Sequence, residues 1–133
     1  MKLLLDTHIW LWSLGEPHRL SKRVAKELDD RQNELWLSPI SIWEVIVLWQ
    51  KKRILPDLDV ERWIPRALRS LPLREAALTH EVALETARLQ FPHRDPADRF
   101  LVATAKVFEL TLVTADERLS KLREIPILAN RTT

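Results

Sequence analysis

Short apolar runs alternate with longer amphipathic segments along this chain, and that alternation constrains its fold more than any other feature. Three runs have the length of buried strands: Lys2–Leu5, the "ELWL" of 34–37 and the "LTLV" of 110–113. "LPL" at 71–73 and "IPIL" at 125–128 are weaker candidates, and the proline of the second favours an edge position. The intervening segments repeat apolar residues at helical spacing. Strands that alternate with helices predict an α/β sandwich around a mainly parallel sheet.

The composition excludes several classes of function. The 133 residues predict a single domain, residues 1–133. Gly15 is the only glycine, which argues against glycine-rich phosphate loops and dinucleotide-binding fingerprints. The absence of cysteine removes disulfides, thiolate zinc sites and cysteine nucleophiles, and is compatible with a reducing cytoplasm. Because the first apolar stretch already ends at Asp6, we expect a cytoplasmic protein without a signal peptide or membrane span.

Two aspartates stand at the start of an apolar helical segment in "HRDPADRF", residues 93–100. Asp95 suits the N-cap, Pro96 suits the first helical position, and Asp98 then falls third, where a carboxylate interacts favourably with the helix dipole. Helix capping therefore explains Asp95 fully and Asp98 only in part.

Two further acids have a competing structural interpretation as parts of capping boxes. "SIWE" at 41–44 and "TADE" at 114–117 both match the S/T-x-x-E form. If Pro39 starts the helix after the second strand, Ser38 is its cap and Glu44 lies well inside the helix. In the second box, Thr114 and Glu117 satisfy the helix terminus, which leaves Asp116 without a structural role.

Asp6 and Asp116 come just after predicted strands, and Glu44 lies in the helix that follows the second strand. Asp98 lies in the first turn of its own helix. Parallel topology would bring the four acids to one end of the sheet, where functional groups of α/β proteins gather. Crowded carboxylates repel one another unless a cation compensates, and oxygen ligands select Mg²⁺ or Mn²⁺ over zinc. Such a pocket suits metal-assisted hydrolysis of phosphodiester bonds. Taken singly, each acid could still be a cap.

The blocks "LLLDTHIWLW", "SPISIWEV", "RDPADRFLVATA" and "LVTADERL", in this order and spacing, resemble the PIN-domain family, and within it the VapC-type toxins of toxin–antitoxin pairs. The resemblance covers nearly the whole chain. It implies a three-layer α/β/α sandwich and Mg²⁺-dependent endoribonuclease activity, with a 3′-oxygen leaving group. It also implies RNA as substrate, a small antitoxin that blocks the site, and a homodimer.

The resemblance also assigns roles to residues. It implies Asp6, Asp98 and Asp116 as metal ligands, with Glu44 orienting the attacking water, deprotonating it or binding a second metal. Supporting roles fall to residues beside these acids: Asp95, Thr7 and Thr114.

Basic and aromatic residues complete the expectations. An acidic pocket that receives RNA needs positive charge around it, and Arg94 and Arg99 flank the aspartates. Arg99 could instead pair with Glu44 or Asp95, and His93 could touch phosphate or have no role. Three tryptophans could line a groove for the antitoxin or pack in the core: Trp10, Trp12 and Trp43. The alternatives for the whole chain are a stand-alone PIN nuclease of RNA processing or decay, and a PIN module that binds without cutting.

Overall fold

The structure is a computed structural model that describes residues 1–54, 57–92 and 94–131. His93 lies outside the described residues. The strands are β1 (Lys2–Leu5), β2 (Glu34–Leu37), β3 (Leu73–Glu75), β4 (Thr111–Thr114) and β5 (Ile127–Ala129). The α-helices are α1 (Thr7–Gly15), α2 (Lys22–Asp29), α3 (Pro39–Gln50), α4 (Val60–Arg69), α5 (His80–Glu85), α6 (Pro96–Phe108) and α7 (Glu117–Ser120). Short 3₁₀ turns occupy Pro17–Arg19 and Thr86–Arg88.

The five strands in the described part of the chain pair in parallel, in the order β3-β2-β1-β4-β5. The chain moves outward from β1 through β2 to β3, then crosses back to place β4 on the other side of β1. The order therefore reverses between β1 and β4, which creates a crevice at the carboxyl ends of these two strands. The parallel sheet and the edge position of β5 confirm the expectations from the sequence.

Helices cover both faces of the sheet, so the fold is the expected three-layer α/β/α sandwich. Successive side chains of β1 point to opposite faces of the sheet, so Leu3 and Leu5 pack in one apolar core and Leu4 packs in the other. The first core receives Ile9 and Trp10 of α1, and the second is filled largely by α6. Because both faces are buried, the central strands read as continuous apolar runs.

Helix starts follow the predicted caps at two of the three sites. Asp95 caps α6 and Ser38 caps α3, whose first residue is Pro39. The expectation for α7 was wrong, because Asp116 is the N-cap and Thr114 is the last residue of β4. Asp116 thus has a structural role as well as a candidate functional one. Within the described ranges, none of the helices combines the length and apolar character needed to cross a membrane.

Candidate metal and RNA-processing site

The carboxyl ends of β1 and β4 hold two acids through one buried threonine. Asp6 follows β1 directly and caps α1, accepting a hydrogen bond from the Thr7 amide at Oδ1 (2.7 Å). The Thr114 hydroxyl donates to Asp6 Oδ2 (2.7 Å) and accepts from the Asp116 amide (3.0 Å). Thr114 is fully buried, so its single side chain fixes both acids at the crevice between the strands.

Glu44 reaches the same place from the middle of α3. Its Oε1 accepts a hydrogen bond from the Thr7 hydroxyl at 2.6 Å. Thr7 is buried and begins α1, so it holds Asp6 with its amide and Glu44 with its hydroxyl. The Ser41 hydroxyl, also buried, lies 2.9 Å from that of Thr7.

Asp95 and Asp98 approach from the first turn of α6. Asp95 is exposed, and its Oδ1 accepts from the amides of Ala97 (2.9 Å) and Asp98 (3.4 Å). Asp98 is only 9% exposed. It lies in a helix whose other buried residues are mostly apolar. Capping therefore accounts for Asp95, whereas Asp98 is a nearly buried carboxylate that lines the same cleft as the other acids.

The acids meet in one open cleft of about 490 Å³. The cleft brings together the four predicted principal acids and the predicted supporting one: Asp6, Glu44, Asp95, Asp98 and Asp116. They come from the β1–α1 junction, α3, the start of α6 and the β4–α7 junction, so no local sequence window could have shown their proximity.

Burial and mutual repulsion raise the pKa values of two of these acids. The pKa of Glu44 is raised to about 7, mainly because burial desolvates its carboxylate. The hydrogen bond from Thr7 acts to lower this pKa. The negative charges of the neighbouring aspartates raise it further: Asp6, Asp98 and Asp95. Desolvation likewise raises the pKa of Asp6, against the hydrogen bonds from Thr114 and Thr7. The site thus concentrates negative charge that the protein itself only partly compensates.

Asp116 titrates in the opposite direction. Partial burial acts to raise its pKa, but hydrogen bonds from the Arg118 amide, the Arg118 side chain and the Leu119 amide outweigh this effect and lower it. The Arg118 guanidinium lies 3.4 Å from Asp116 Oδ2, while Oδ1 caps α7. Asp116 is therefore ionised well into the acidic range.

The donor set fits a hard divalent cation. Five carboxylates line the cleft, and buried threonine hydroxyls donate to two of them. The raised pKa values of Glu44 and Asp6 reflect negative charge that a cation would neutralise. In the part of the chain that the structure describes, no three acidic or imidazole side chains come close enough to enclose an ion. Mg²⁺ does not require such an enclosure, because it keeps several waters and binds through one or two carboxylates.

The two arginines that were predicted to bind RNA lie in different surroundings. Arg94 is exposed beside the N-cap of α6. Arg99 is half-buried, and its guanidinium donates to the carbonyl oxygens of Thr86 (2.6 Å) and Phe91 (3.3 Å). Arg99 therefore anchors the segment that leads into α6.

Sequence reasoning missed three residues that line the cleft beside the acids, namely His8, Arg19 and Arg118. Trp12, which was considered only for a partner groove or the core, lines the cleft as well. Arg118 follows Asp116 by two residues in a predicted helix, so its position could have been inferred. Arg19 stacks over the Trp12 ring, 4.4 Å from its centroid, and gave no signal in the sequence.

A second groove of about 570 Å³ adjoins the cleft. Trp12 and Trp63 contribute to its walls, and Arg19 and Arg53 supply positive charge. Trp10, by contrast, is completely buried in the core, and Trp43 is 53% exposed on α3. Of the three tryptophans considered for a groove, Trp12 alone lines this one.

Comparison with known proteins agrees with this geometry. Residues 3–125 match the family profile of the PIN domain. The chain is 34% identical over 123 residues to Ribonuclease VapC22 of Mycobacterium tuberculosis, covering 91% of this chain and 92% of that protein. VapBC2 from Rickettsia felis, solved with a DNA fragment from its promoter, gives a TM-score of 0.75 at 15% identity over 98% of this chain and 100% of that one. A toxin–antitoxin complex from Klebsiella pneumoniae gives 0.67 at 20% identity, over 98% and 99% of the two chains.

The profile and the curated relative each span nearly the whole sequence, and the structural neighbours share its layer architecture. The chain belongs to the PIN-domain family.

Proposed function

We propose that this protein is a metal-dependent endoribonuclease and the toxin of a toxin–antitoxin pair. The observation that carries the proposal is the convergence of Asp6, Glu44 and Asp98 with Asp116 in one open cleft. A module that only binds RNA would gain nothing from carboxylates that repel both one another and the phosphates. The relative named a ribonuclease, at 34% identity, supports the same activity.

The cofactor we assign is Mg²⁺, with Mn²⁺ as a substitute. Asp6, Asp98 and Asp116 are the residues that would hold it, directly or through water. When bound, it supplies Lewis-acid stabilisation of charge on the phosphate and an ionised water at neutral pH.

Glu44 is the residue we assign to the attacking water. Its carboxylate lines the cleft together with the aspartates, where it can accept a proton from a water held between them and release it after each turnover. Thr7 holds the Glu44 carboxylate in place, and Thr114 does the same for Asp6. These hydroxyls fix the acids before substrate arrives, as efficient electrostatic catalysis requires.

Positive side chains around the cleft would hold the RNA phosphates. Arg118 and Arg19 line the cleft itself, and Arg94 is exposed beside the N-cap of α6. The anchoring contacts of Arg99 favour a role in placing the segment before α6 over direct phosphate binding.

The partner we assign to the adjoining groove is the antitoxin. The groove shares His8, Trp12 and Arg19 with the acidic cleft, so a chain segment that lies in the groove reaches the catalytic acids. The structural neighbour from Klebsiella pneumoniae, which is named a toxin–antitoxin complex, agrees with such a partner. We further propose that the protein acts in the cytoplasm and forms a homodimer, for which the exposed Trp43 is a candidate contact.

The test is cleavage of a mixed RNA pool by the purified protein with Mg²⁺ and with EDTA. Wild type and Asp98→Asn are compared with Asp29→Asn, which removes an exposed charge from the end of α2, at the opposite end of the sheet. We expect Mg²⁺-dependent cutting by wild type and Asp29→Asn and none by Asp98→Asn. RNA binding without cutting by any of the three would replace the nuclease with a binding module.

A further inference from the structure

Ser41 is a buried hydroxyl without a role in helix capping. Ser38 caps α3, its side chain accepting from the Ile40 amide at 3.1 Å, so Ser41 falls at the third helical position. Its side chain is completely buried in a helix whose other residues are mostly apolar. Alanine would occupy the same space, has a higher helix propensity and needs no hydrogen-bond partner. The hydroxyl therefore has a function in the contact that it makes.

That contact is with Thr7, 34 residues earlier in the chain. The Thr7 oxygen lies 2.9 Å from Ser41 Oγ and 2.6 Å from Glu44 Oε1. Ser41 and Glu44 are three residues apart on one face of α3, so the same helix presents two groups to one hydroxyl. The S-x-x-E spacing that resembles a capping box is, in this fold, a pair of contacts to Thr7.

The number of hydrogens fixes the direction of these bonds. A hydroxyl carries one hydrogen, so Thr7 donates to only one neighbour at a time. An ionised Glu44 has no hydrogen to give, and it therefore receives the hydrogen of Thr7. The Ser41 hydroxyl then donates to the Thr7 oxygen, which gives the chain Ser41 to Thr7 to Glu44. Each donation polarises the next hydroxyl and strengthens its bond.

We propose that Ser41 is a positioning residue of the nuclease: through Thr7 it holds the Glu44 carboxylate in the orientation that activates water. The inference rests on the proposed nuclease function and goes beyond it, since Ser41 touches neither metal nor RNA. Without the Ser41 hydroxyl, the Thr7 oxygen loses the hydrogen bond that polarises it, so the bond from Thr7 that orients the Glu44 carboxylate weakens.

The kinetic test compares Ser41→Ala with wild type under Mg²⁺. We expect kcat to fall by about tenfold while KM stays within about twofold, because the hydroxyl affects water activation and not RNA binding. Ser41→Thr, which keeps the hydroxyl, should retain most of the wild-type kcat. The matched control is Thr104→Val, which removes another fully buried hydroxyl. That hydroxyl donates to the Phe100 carbonyl of its own helix, so its loss should leave kcat unchanged.

A second measurement does not depend on cleavage. The ¹³C resonance of the Glu44 carboxyl, observed at one pH, should move towards the value of a solvent-exposed glutamate in Ser41→Ala and return in Ser41→Thr. An unchanged kcat together with an unmoved resonance in Ser41→Ala would overturn the inference. If wild type cuts no RNA but the resonance still moves, the positioning contact stands and the nuclease assignment is the part that fails.

Discussion

Thr114 and Asp6 are joined by a 2.7 Å hydrogen bond that links the carboxyl ends of β4 and β1 across 108 residues of sequence. The same hydroxyl accepts from the Asp116 amide, so one buried side chain spans the crevice where the strand order reverses. The geometry of the acidic cleft thus depends on neutral hydroxyls as much as on the acids themselves.

Replacing Thr114 with valine should weaken both folding and metal binding. The change leaves the half-buried Asp6 carboxylate without one donor and the Asp116 amide without its acceptor, so we expect a loss of about 2 kcal/mol in the free energy of unfolding. Urea denaturation measures this loss, and calorimetry with Mn²⁺ measures the affinity. Thr104→Val is the control, with an expected loss below about 1 kcal/mol because its bond stays within one helix turn. Equal losses for the two variants would contradict the bridging role.

The raised pKa of Glu44 makes the metal-free protein less stable as the pH rises. Glu44 titrates near 4.5 when unfolded and near 7 when folded, so between these values the folded state binds more protons. The contribution of Glu44 to the free energy of unfolding is therefore greatest below pH 4.5, and it decreases as the pH rises to about 7. We expect Glu44→Gln to match wild type at low pH and to exceed it by about 1–2 kcal/mol above neutrality.

Denaturation in EDTA across this pH range provides the measurement. The raised pKa of Asp6 also makes the folded protein less stable as the pH rises, and this effect is present in both wild type and Glu44→Gln. The lowered pKa of Asp116 adds stability that is lost at acidic pH, again in both proteins. The difference between wild type and Glu44→Gln isolates Glu44. A difference that does not change with pH would show that Glu44 has an ordinary pKa in the folded protein.

Removal of the metal should reveal the repulsion within the cleft. Mg²⁺ binds only the folded site and therefore raises the melting temperature of wild type, more strongly near pH 8 than near pH 5 because Glu44 and Asp6 must ionise. Asp98→Asn removes one of the repelling charges, so we expect it to be at least as stable as wild type in EDTA but to gain little from Mg²⁺. Thermal melts with and without Mg²⁺ compare the two, and Asp29→Asn should respond like wild type. An undiminished Mg²⁺ response in Asp98→Asn would remove Asp98 from the metal site.

Arg118 competes with a metal ion for Asp116. Its guanidinium occupies one side of Oδ2, and its charge opposes the approach of a second cation. Arg118→Gln should therefore bind Mn²⁺ about two- to tenfold more tightly and RNA more weakly, since a phosphate-binding charge is lost. Calorimetry and fluorescence anisotropy measure the two affinities. Arg31→Gln, an exposed arginine before the amino end of β2, is the matched control. If metal affinity falls instead, Arg118 holds Asp116 in place for the ion.

The sequence predicted the sheet and the approach of the four acids for one physical reason. The carboxyl ends of parallel strands meet at one edge, so an acid after β1 and another after β4 must come close once both strands lie side by side. Continuous apolar runs identified those strands, and Pro39 and Pro96 located the starts of the helices that carry Glu44 and Asp98.

Contacts between distant segments could not be predicted in this way. Nothing near Ser41 or Glu44 indicates Thr7 as their partner, because only the packing of α1 against α3 brings them together. The cap of α7 was predicted wrongly because Thr114 and Asp116 both suit an N-cap locally. The choice is made by Asp6, which takes the Thr114 hydroxyl and leaves Asp116 to cap the helix.

Arg94 and Arg99 should differ in what their loss affects. Arg99→Lys cannot bond the carbonyls of Thr86 and Phe91 together, because an ammonium lacks the planar fork of the guanidinium. We expect it to lower the free energy of unfolding by about 1–2 kcal/mol with little change in RNA affinity. Arg94→Gln removes an exposed charge beside the cleft and should weaken RNA binding while leaving stability unchanged.

Both affinities are measured by anisotropy of a labelled RNA in a Glu44→Gln background, which keeps the three aspartates and prevents cutting. Binding that depends on Arg94 should also lose part of its salt dependence when Arg94 is replaced, since fewer counterions are then released from the RNA. A change at Arg99 that weakens binding and flattens the salt dependence, without loss of stability, would instead place Arg99 against a phosphate. The two arginines flank the same pair of aspartates in sequence, so only their surroundings in the fold separate their roles.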